Sequence, residues 1–462
     1  MMRQKRRAAL RLLLVLTLLT ASASCLGGSS DRRALSILTP WTADAEKDSF
    51  QAVLKAFEAK TGITVNASPT RALDQVLRTA VQKGEAPDLA VMANPGALRS
   101  YAQQGDLVPL NRFQDKTLGS GLVDLLKSDY GPQWYRLGEA GTGDPYAVVV
   151  KASVKSLIWY APQRLATQPP TSWADLVGVG RSIAQRGETP WCLAMADPPN
   201  SGWPGTDWIE DILLHQSGAD TYRDWVNGTL DWRSPQVSAA WQAWGQTVTA
   251  QGAIRGGPLT ALLTSYGEGA YPLFTTPPGC YLEHGAPITP DPAAPTKPVP
   301  GKDYDFVPFP DFQPTATPAP TPTYEVSGDL VAMFRDSPEA EQFMAFLASP
   351  QAQQIWPSRQ PESAFSANRT VTARMVSSYA TDSVARRIAE LLTSPATLCF
   401  DASDSMPSTM AAAFNRAVLD YLNDPTQLPT ILTGLDKVQD DAYPQPTQSS
   451  VCASGSPGQE AK

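Results

Sequence analysis

Histidine is nearly absent from this 462-residue chain, which has only His215 and His284, and that scarcity removes much of the usual hydrolytic chemistry. A serine or cysteine nucleophile needs a neighbouring base. No nucleophile-elbow motif is present to partner either histidine. Walker-type and dinucleotide-type glycine loops are lacking, and no pair of cysteines has zinc-ligand spacing, so neither cofactor nor metal is expected. Surplus positive charge is missing too. The formal net charge is −8, whereas nucleic acid demands a basic footprint. Beyond the N-terminus no apolar stretch is long enough to span a bilayer.

The N-terminus itself is distinctive. Arg3, Lys5, Arg6, Arg7 and Arg11 precede and enter an apolar run from Leu12 to Leu19, which gives way to the small residues Thr20 to Ser24 and then Cys25. Such a run is too short for a membrane span and reads as a secretory signal peptide over residues 1–24. The cysteine directly after it resembles a bacterial lipoprotein signal, in which Cys25 becomes the lipidated first residue of a short tether, 25–33. The usual large aliphatic three places before that cysteine is here Ser22, and the alternative is a plain signal peptide with an incidental Cys25. Removing residues 1–24 takes away five positive charges and no acids, moving the net charge to −13.

Four cysteines remain, Cys192, Cys280, Cys399 and Cys452. In an exported chain an even count points to two disulfides with three possible pairings. We expect Cys192 with Cys280 and Cys399 with Cys452, although spacing alone does not decide it.

A chain of this length exceeds what one core usually supports, so two lobes are expected. Strand-like runs at Ala34–Thr39, Ile63–Ala67 and Leu89–Met92 alternate with helical stripes. Phe50, Val53, Leu54 and Phe57 mark the first helix, and Leu73, Val76, Leu77, Ala80 and Val81 the second. This alternation specifies a parallel sheet with helices on its faces, and ligands bind beyond the carboxyl ends of such strands. Trp41 and Asn94 lie at those ends, where each could equally be a cap or loop punctuation.

A second α/β unit begins near residue 150. It has strands at Tyr146–Lys151, Ser156–Tyr160 and Thr189–Ala194, and a helix at Ser172–Gln185. A further helix carries Val237, Ala240, Trp241, Trp244 and Val248 on one face, with its tryptophans expected in the core. Residues 287–323 hold 12 of the 42 prolines and are expected as an exposed extended loop, with Tyr304–Phe309 a strand within it. Tyr324–Phe334 returns to strand. Helices are expected at Pro338–Ala348, Gln351–Trp356, Thr381–Leu392, Met410–Asn423 and Thr426–Asp436, before a polar tail, 441–462.

Between Pro190 and Leu214 the chain delivers Ser-Gly-Trp-Pro-Gly-Thr-Asp-Trp onto the start of a helix. Trp203 and Trp208 offer flat apolar rings beside the carboxylate of Asp207, and a sugar presents the matching surfaces, an apolar face and a rim of hydroxyls. A structural reading fits as well. Asp207 and Glu210 form an Asp-x-x-Glu capping box, and both tryptophans could fill core. Carboxylates near aromatic or polar stretches, Asp207, Glu210, Asp211, Asp401 and Asp404, leave a glycoside hydrolase open, since such enzymes need two at a defined separation.

Several stretches together resemble the extracellular solute-binding proteins of bacterial ABC importers, in the carbohydrate branch of maltose and alpha-glucoside type. They are Phe50 to Val65, Gly84-Glu85-Ala86-Pro87-Asp88, Val150 to Tyr160, Pro190-Trp191-Cys192 with the following loop, Pro277 to Cys280, Gly328-Asp329, Asp336 to Ala340, and Phe400 to Pro407. The Trp203 loop and Asp-Ala-Ser-Asp-Ser-Met-Pro are closer to the alpha-glucoside subgroup; the Pro/Thr insertion at Pro314–Thr323 departs from it.

The resemblance implies an α/β, two-lobed periplasmic-binding-protein fold of type II, with two or three segments crossing near Val149–Ser156 and Glu325–Phe334. Lobe 1 would comprise 34–150 plus about 325–365, and lobe 2 151–324 plus about 366–440. It implies a monomer that binds a sugar in the interlobe cleft without catalysis and delivers it to permease subunits, attached to the membrane by its lipid anchor only. Expected ligand contacts are Trp41, Asn94, Lys151, Trp203, Asp207, Trp208, Asp329, Trp356 and Asp404. A secreted glycoside hydrolase and a sugar sensor without transport are the alternatives.

Overall fold

Three strand–helix units open the fold: β1 (Leu35–Thr39), α1 (Asp44–Thr61), β2 (Val65–Pro69), α2 (Leu73–Gln82), β3 (Leu89–Met92) and α3 (Pro95–Gln104). In this computed structural model residues 34–165, 168–288, 296–313, 321–360, 363–380, 383–444, 447 and 451–454 are described. The expected signal peptide, Cys25, the tether, part of the proline-rich loop and most of the tail lie outside them. β1 pairs in parallel with both β2 and β3, as helical crossovers require. The stripe of Phe50, Val53, Leu54 and Phe57 on α1 is buried.

Two helices that periodicity left unassigned follow, α4 (Lys116–Leu125) and α5 (Gly131–Gly138). Next come β4 (Ala147–Val154), β5 (Leu157–Tyr160), α6 (Trp173–Gln185), α7 (Trp203–Val226), α8 (Pro235–Val248), α9 (Gly257–Leu263), β6 (Leu282–His284), β7 (Asp305–Pro308) and β8 (Thr323–Met333). The chain finishes with α10 (Pro338–Ala348), α11 (Pro350–Gln353), α12 (Ile355–Arg359), α13 (Arg369–Ser378), α14 (Val384–Thr393), β9 (Thr397–Phe400), α15 (Ala402–Ser405), α16 (Ser408–Asn423), α17 (Leu428–Ala442) and β10 (Cys452–Ser454).

The longest strands are β4 and β8. They pair antiparallel, while the C-terminal part of β8 runs beside β3 and its N-terminal part beside β9. One sheet therefore runs β10-β9-β8-β3-β1-β2, with β4 also on β8, and a second runs β6-β5-β7. Phe365 lies beside β4 and exchanges backbone hydrogen bonds of 2.8 and 3.0 Å with Ala152.

Both disulfides have the expected pairing, Cys192–Cys280 and Cys399–Cys452. The second staples β9 to β10, where the two cysteines are register partners. Trp241 and Trp244 are core, both fully buried with Trp225, Trp232 and Phe414 around them.

Two local expectations fail for identifiable reasons. Residues 189–194 form no strand element, only bridges from Trp191 to Ile254 and Leu282, because Pro190 has no N–H for a ladder. Asp207 does not cap its helix. Gly202 is the N-cap and Pro204 stands in the first turn, a place proline favours because its missing N–H costs nothing there. That starts α7 a full turn before Asp207, whose carboxylate is thereby free for other partners.

Candidate functional site

A bulge in β4 sets up the first cluster. Val149 pairs with Leu330 and Lys151 with Asp329, leaving Val150 as the extra residue, and such a bulge re-aims the neighbouring side chain. The Lys151 Nζ lies 2.9 Å from Glu46 Oε1 and 3.9 Å from Asp329 Oδ2. It also stands 5.4 Å from the centre of the Trp356 ring, a cation–π distance. Trp41 Nε1 donates to Asp329 Oδ2 at 3.0 Å, and its ring meets Trp356 edge-on at 4.5 Å. Burial works against the charge of Lys151, but Glu46 and Asp329 outweigh it and raise its pKa. Trp41, Lys151, Asp329 and Trp356 are thus brought together, and Glu46 joins them without having been expected.

The second cluster lies around the start of α7. Trp203 is partly buried, packs at 4.2 Å against Tyr266, and donates from Nε1 to Asp197 Oδ2 at 2.9 Å. The Lys155 ammonium stands 5.1 Å from the Trp203 ring centre, 3.0 Å from Asp207 Oδ1, and in contact with Asp401. Burial pushes Asp207 up to about 8 despite that ammonium. Asp401 is held below its usual range because Lys155 overcomes the effect of burial, so the Lys155–Asp401 pair carries the charge. Asp404 is pushed well up by burial and by Asp401.

Arg71, which follows β2, links the two clusters. It forms an ion pair with Asp197, the acceptor for Trp203, and its charge registers at both Lys151 and Asp329. Nearby, Glu283 on β6 is 8% exposed, its Oε2 lacks a partner, and burial alone pushes it up to about 8.

Two expected residues fall elsewhere. Trp208 is 1% exposed, edge-on to Trp191 at 4.8 Å and 4.3 Å from the His284 ring, which is a core environment. Asn94 caps α3, its Oδ1 accepting from Ala97 N at 2.7 Å. Beside it, a Cβ on Gly96 would run into the Met406 carbonyl, so α3 and the segment after α15 touch closely.

The carboxylates do not form a hydrolytic pair. Asp207, Glu210 and Asp401 offer oxygens within 4.8 Å of one another, all buried, and Lys155 supplies the positive charge that a cation would bring. A glycosidase needs its carboxylates flanking a sugar; here Asp207 and Asp401 flank an ammonium, and Glu210 accepts from the backbone N–H groups of Ala402 and Ser403. Both histidines are taken up by Asp211: His284 Nε2 lies 2.8 Å from Asp211 Oδ2, and His215 Nδ1 2.8 Å from its backbone oxygen. Ser156 donates to Asp211 rather than to a histidine, the wrong order for an activated nucleophile.

Lys155, Glu46, Arg71, Asp197, Tyr266 and Glu283 were not singled out in the sequence. Only Lys155 carried a signal, since it lies in the same motif-bearing stretch as Lys151.

Residues 43–354 match the family described as bacterial extracellular solute-binding protein. The chain is 31% identical over 415 residues to the osmoprotective compounds-binding protein GgtB of Synechocystis, covering 88% of this chain and 94% of that protein. To the alpha-glucosides-binding periplasmic protein AglE of Rhizobium meliloti it is 29% identical, covering 88% and 87%. Among solved structures, a chitin oligosaccharide binding protein superposes with a TM-score of 0.72 at 15% identity, over 90% of this chain and 100% of the other. The RafE protein in complex with raffinose gives 0.66 at 14% identity, over 89% and 99%. At such identities these two establish the fold.

Proposed function

This chain belongs to the bacterial extracellular solute-binding proteins, and from that premise we propose that it captures a sugar between its lobes and delivers it to an ABC permease. The observation that carries the proposal is the pair of polar–aromatic clusters linked through Arg71 and Asp197. Aromatic faces suit the apolar side of a pyranose, while Lys151, Asp329, Glu46 and Asp197 suit its hydroxyls. Within this reading Trp41, Lys151, Asp329, Trp356, Trp203, Asp207 and Asp404 line the site, Asn94 holds the α3 end in place, and Trp208 supports it from the core.

Alpha-glucosides are the first substrate class to examine, given the name of the Rhizobium relative, with osmoprotective compounds the second. Lobe 1 comprises 34–150 with about 325–365, and lobe 2 151–324 with about 366–440. The chain acts as a monomer, exported and anchored through lipidated Cys25. Among the described residues no helix is long and apolar enough to cross a membrane.

The protein binds without turning its ligand over. After long incubation with an alpha-glucoside that it binds, the sugar is expected to be recovered intact. Accumulating cleavage products that disappear on Asp207→Asn would instead favour a hydrolase.

A further inference from the structure

Arg99, in the second turn of α3, is 7% exposed. No hydrogen bond or ion pair reaches its guanidinium among the described residues, and its Nε is enclosed without an acceptor. An arginine stays charged in a protein, and a buried charge is ordinarily paired. The one titratable group whose charge registers at Arg99 is Tyr443, whose hydroxyl donates to the Val226 carbonyl at 2.8 Å. That phenol stays neutral, because burial pushes its pKa far above the usual value.

Beside Arg99 is a cavity of about 20 Å³, lined also by Arg136, Gly141, Ser405 and Val451. A single water-sized occupant needs roughly 10–15 Å³. The cavity therefore has room for one small species. Ser405 is 2% exposed and its Oγ has no partner among the described residues, so an unpaired donor on α15 adds to the unpaired donors of Arg99. Arg136 on α5 brings a second cation, partly balanced by Glu139. Water could accept these hydrogen bonds, yet it would leave the Arg99 charge uncompensated.

We propose that this cavity binds one monoatomic anion, chloride in ordinary media, held by Arg99, Arg136 and the Ser405 hydroxyl. It is separate from the two polar–aromatic clusters. Arg99 and Ser405 come from the helix after β3 and the helix after β9, the two strands that flank β8, so the ion ties these helices together where Gly96 meets Met406.

Bromide is the probe. Crystals of the full mature chain grown in sodium bromide and measured at the bromine edge are expected to show an anomalous peak within hydrogen-bond distance of Arg99 and Ser405. In solution, the unfolding temperature in sodium chloride or bromide is expected to exceed that in sodium gluconate at equal ionic strength. Arg99→Met should abolish that difference, and Ser405→Ala, which keeps the guanidinium, should reduce it. A cavity without a bromine peak, or equal unfolding temperatures in halide and gluconate, would overturn the proposal.

Discussion

Trp203 and Trp208 share one short loop-to-helix segment and differ in what surrounds them. Trp203 is partly buried beside Lys155 and Tyr266, so Trp203→Ala is expected to weaken sugar binding by about 1–3 kcal/mol while the fold stays intact. Trp208→Ala removes a ring that is 1% exposed and is expected to cost about 3–5 kcal/mol of stability. Calorimetry and denaturant unfolding on both variants separate the two effects, and equal behaviour would deny the distinction. The sequence could not draw it, because the orientation of each side chain depends on where the helix begins. A start at Gly202 instead of Asp207 rotates every later residue, and the capping box that argued for Asp207 describes equally well a carboxylate free to bind Lys155. Glu283, whose Oε2 has no partner among the described residues, gives a pH test. It keeps its proton in the folded chain to about pH 8, whereas the unfolded chain releases it near 4.3. The folded state thus binds the extra proton between those values, and stability from this group, fully present below the lower one, falls by up to about 1.4 kcal/mol per pH unit as pH rises to about 8. Unfolding in urea should find Glu283→Gln similar to the parent at pH 5 and more stable at pH 9. A difference unchanged between the two would refute the assignment.

The elements of the first lobe were largely legible because each repeats one pattern, an apolar strand followed by a helix with a single buried stripe. α1 and β3 sit where that pattern put them. α4 and α5 escaped because the stretch at Leu126–Tyr130 changes helical winding between them and the apolar period does not carry through. The bulge at Val150, which sets Lys151 opposite Asp329, left no trace in the strand's continuous apolar run. Beyond the sheets, the Cys192–Cys280 disulfide fixes the chain leading into α7, closing a loop with a sequence separation of 88. Changing both cysteines to alanine is expected to lower stability by about 2–5 kcal/mol through the freed unfolded chain, read by denaturant unfolding without reductant. An unchanged midpoint would show that packing alone holds this segment.

At the scale of the whole molecule, the length of the chain and its two α/β stretches implied two lobes, and β4 and β8, paired along their length and bridged from Ala152 to Phe365, are the segments expected to join them. What could not be read is the long-range assembly of the site. Trp41 and Asp329 are separated by 288 positions yet share a hydrogen bond, and Arg71 meets Asp197 across 126. Such contacts depend on how segments distant in the chain are brought together, which no local pattern encodes. Hinged lobes of this kind close around their ligand, and on the proposed reading the two clusters would act together. The most direct measurement is titration calorimetry of the mature chain, from Cys25 onward, against mono- and oligosaccharides, alpha-glucosides and osmoprotective compounds. One saturable ligand at one-to-one stoichiometry, weakened by Trp203→Ala, is the predicted result, and silence across the whole panel would contradict the account.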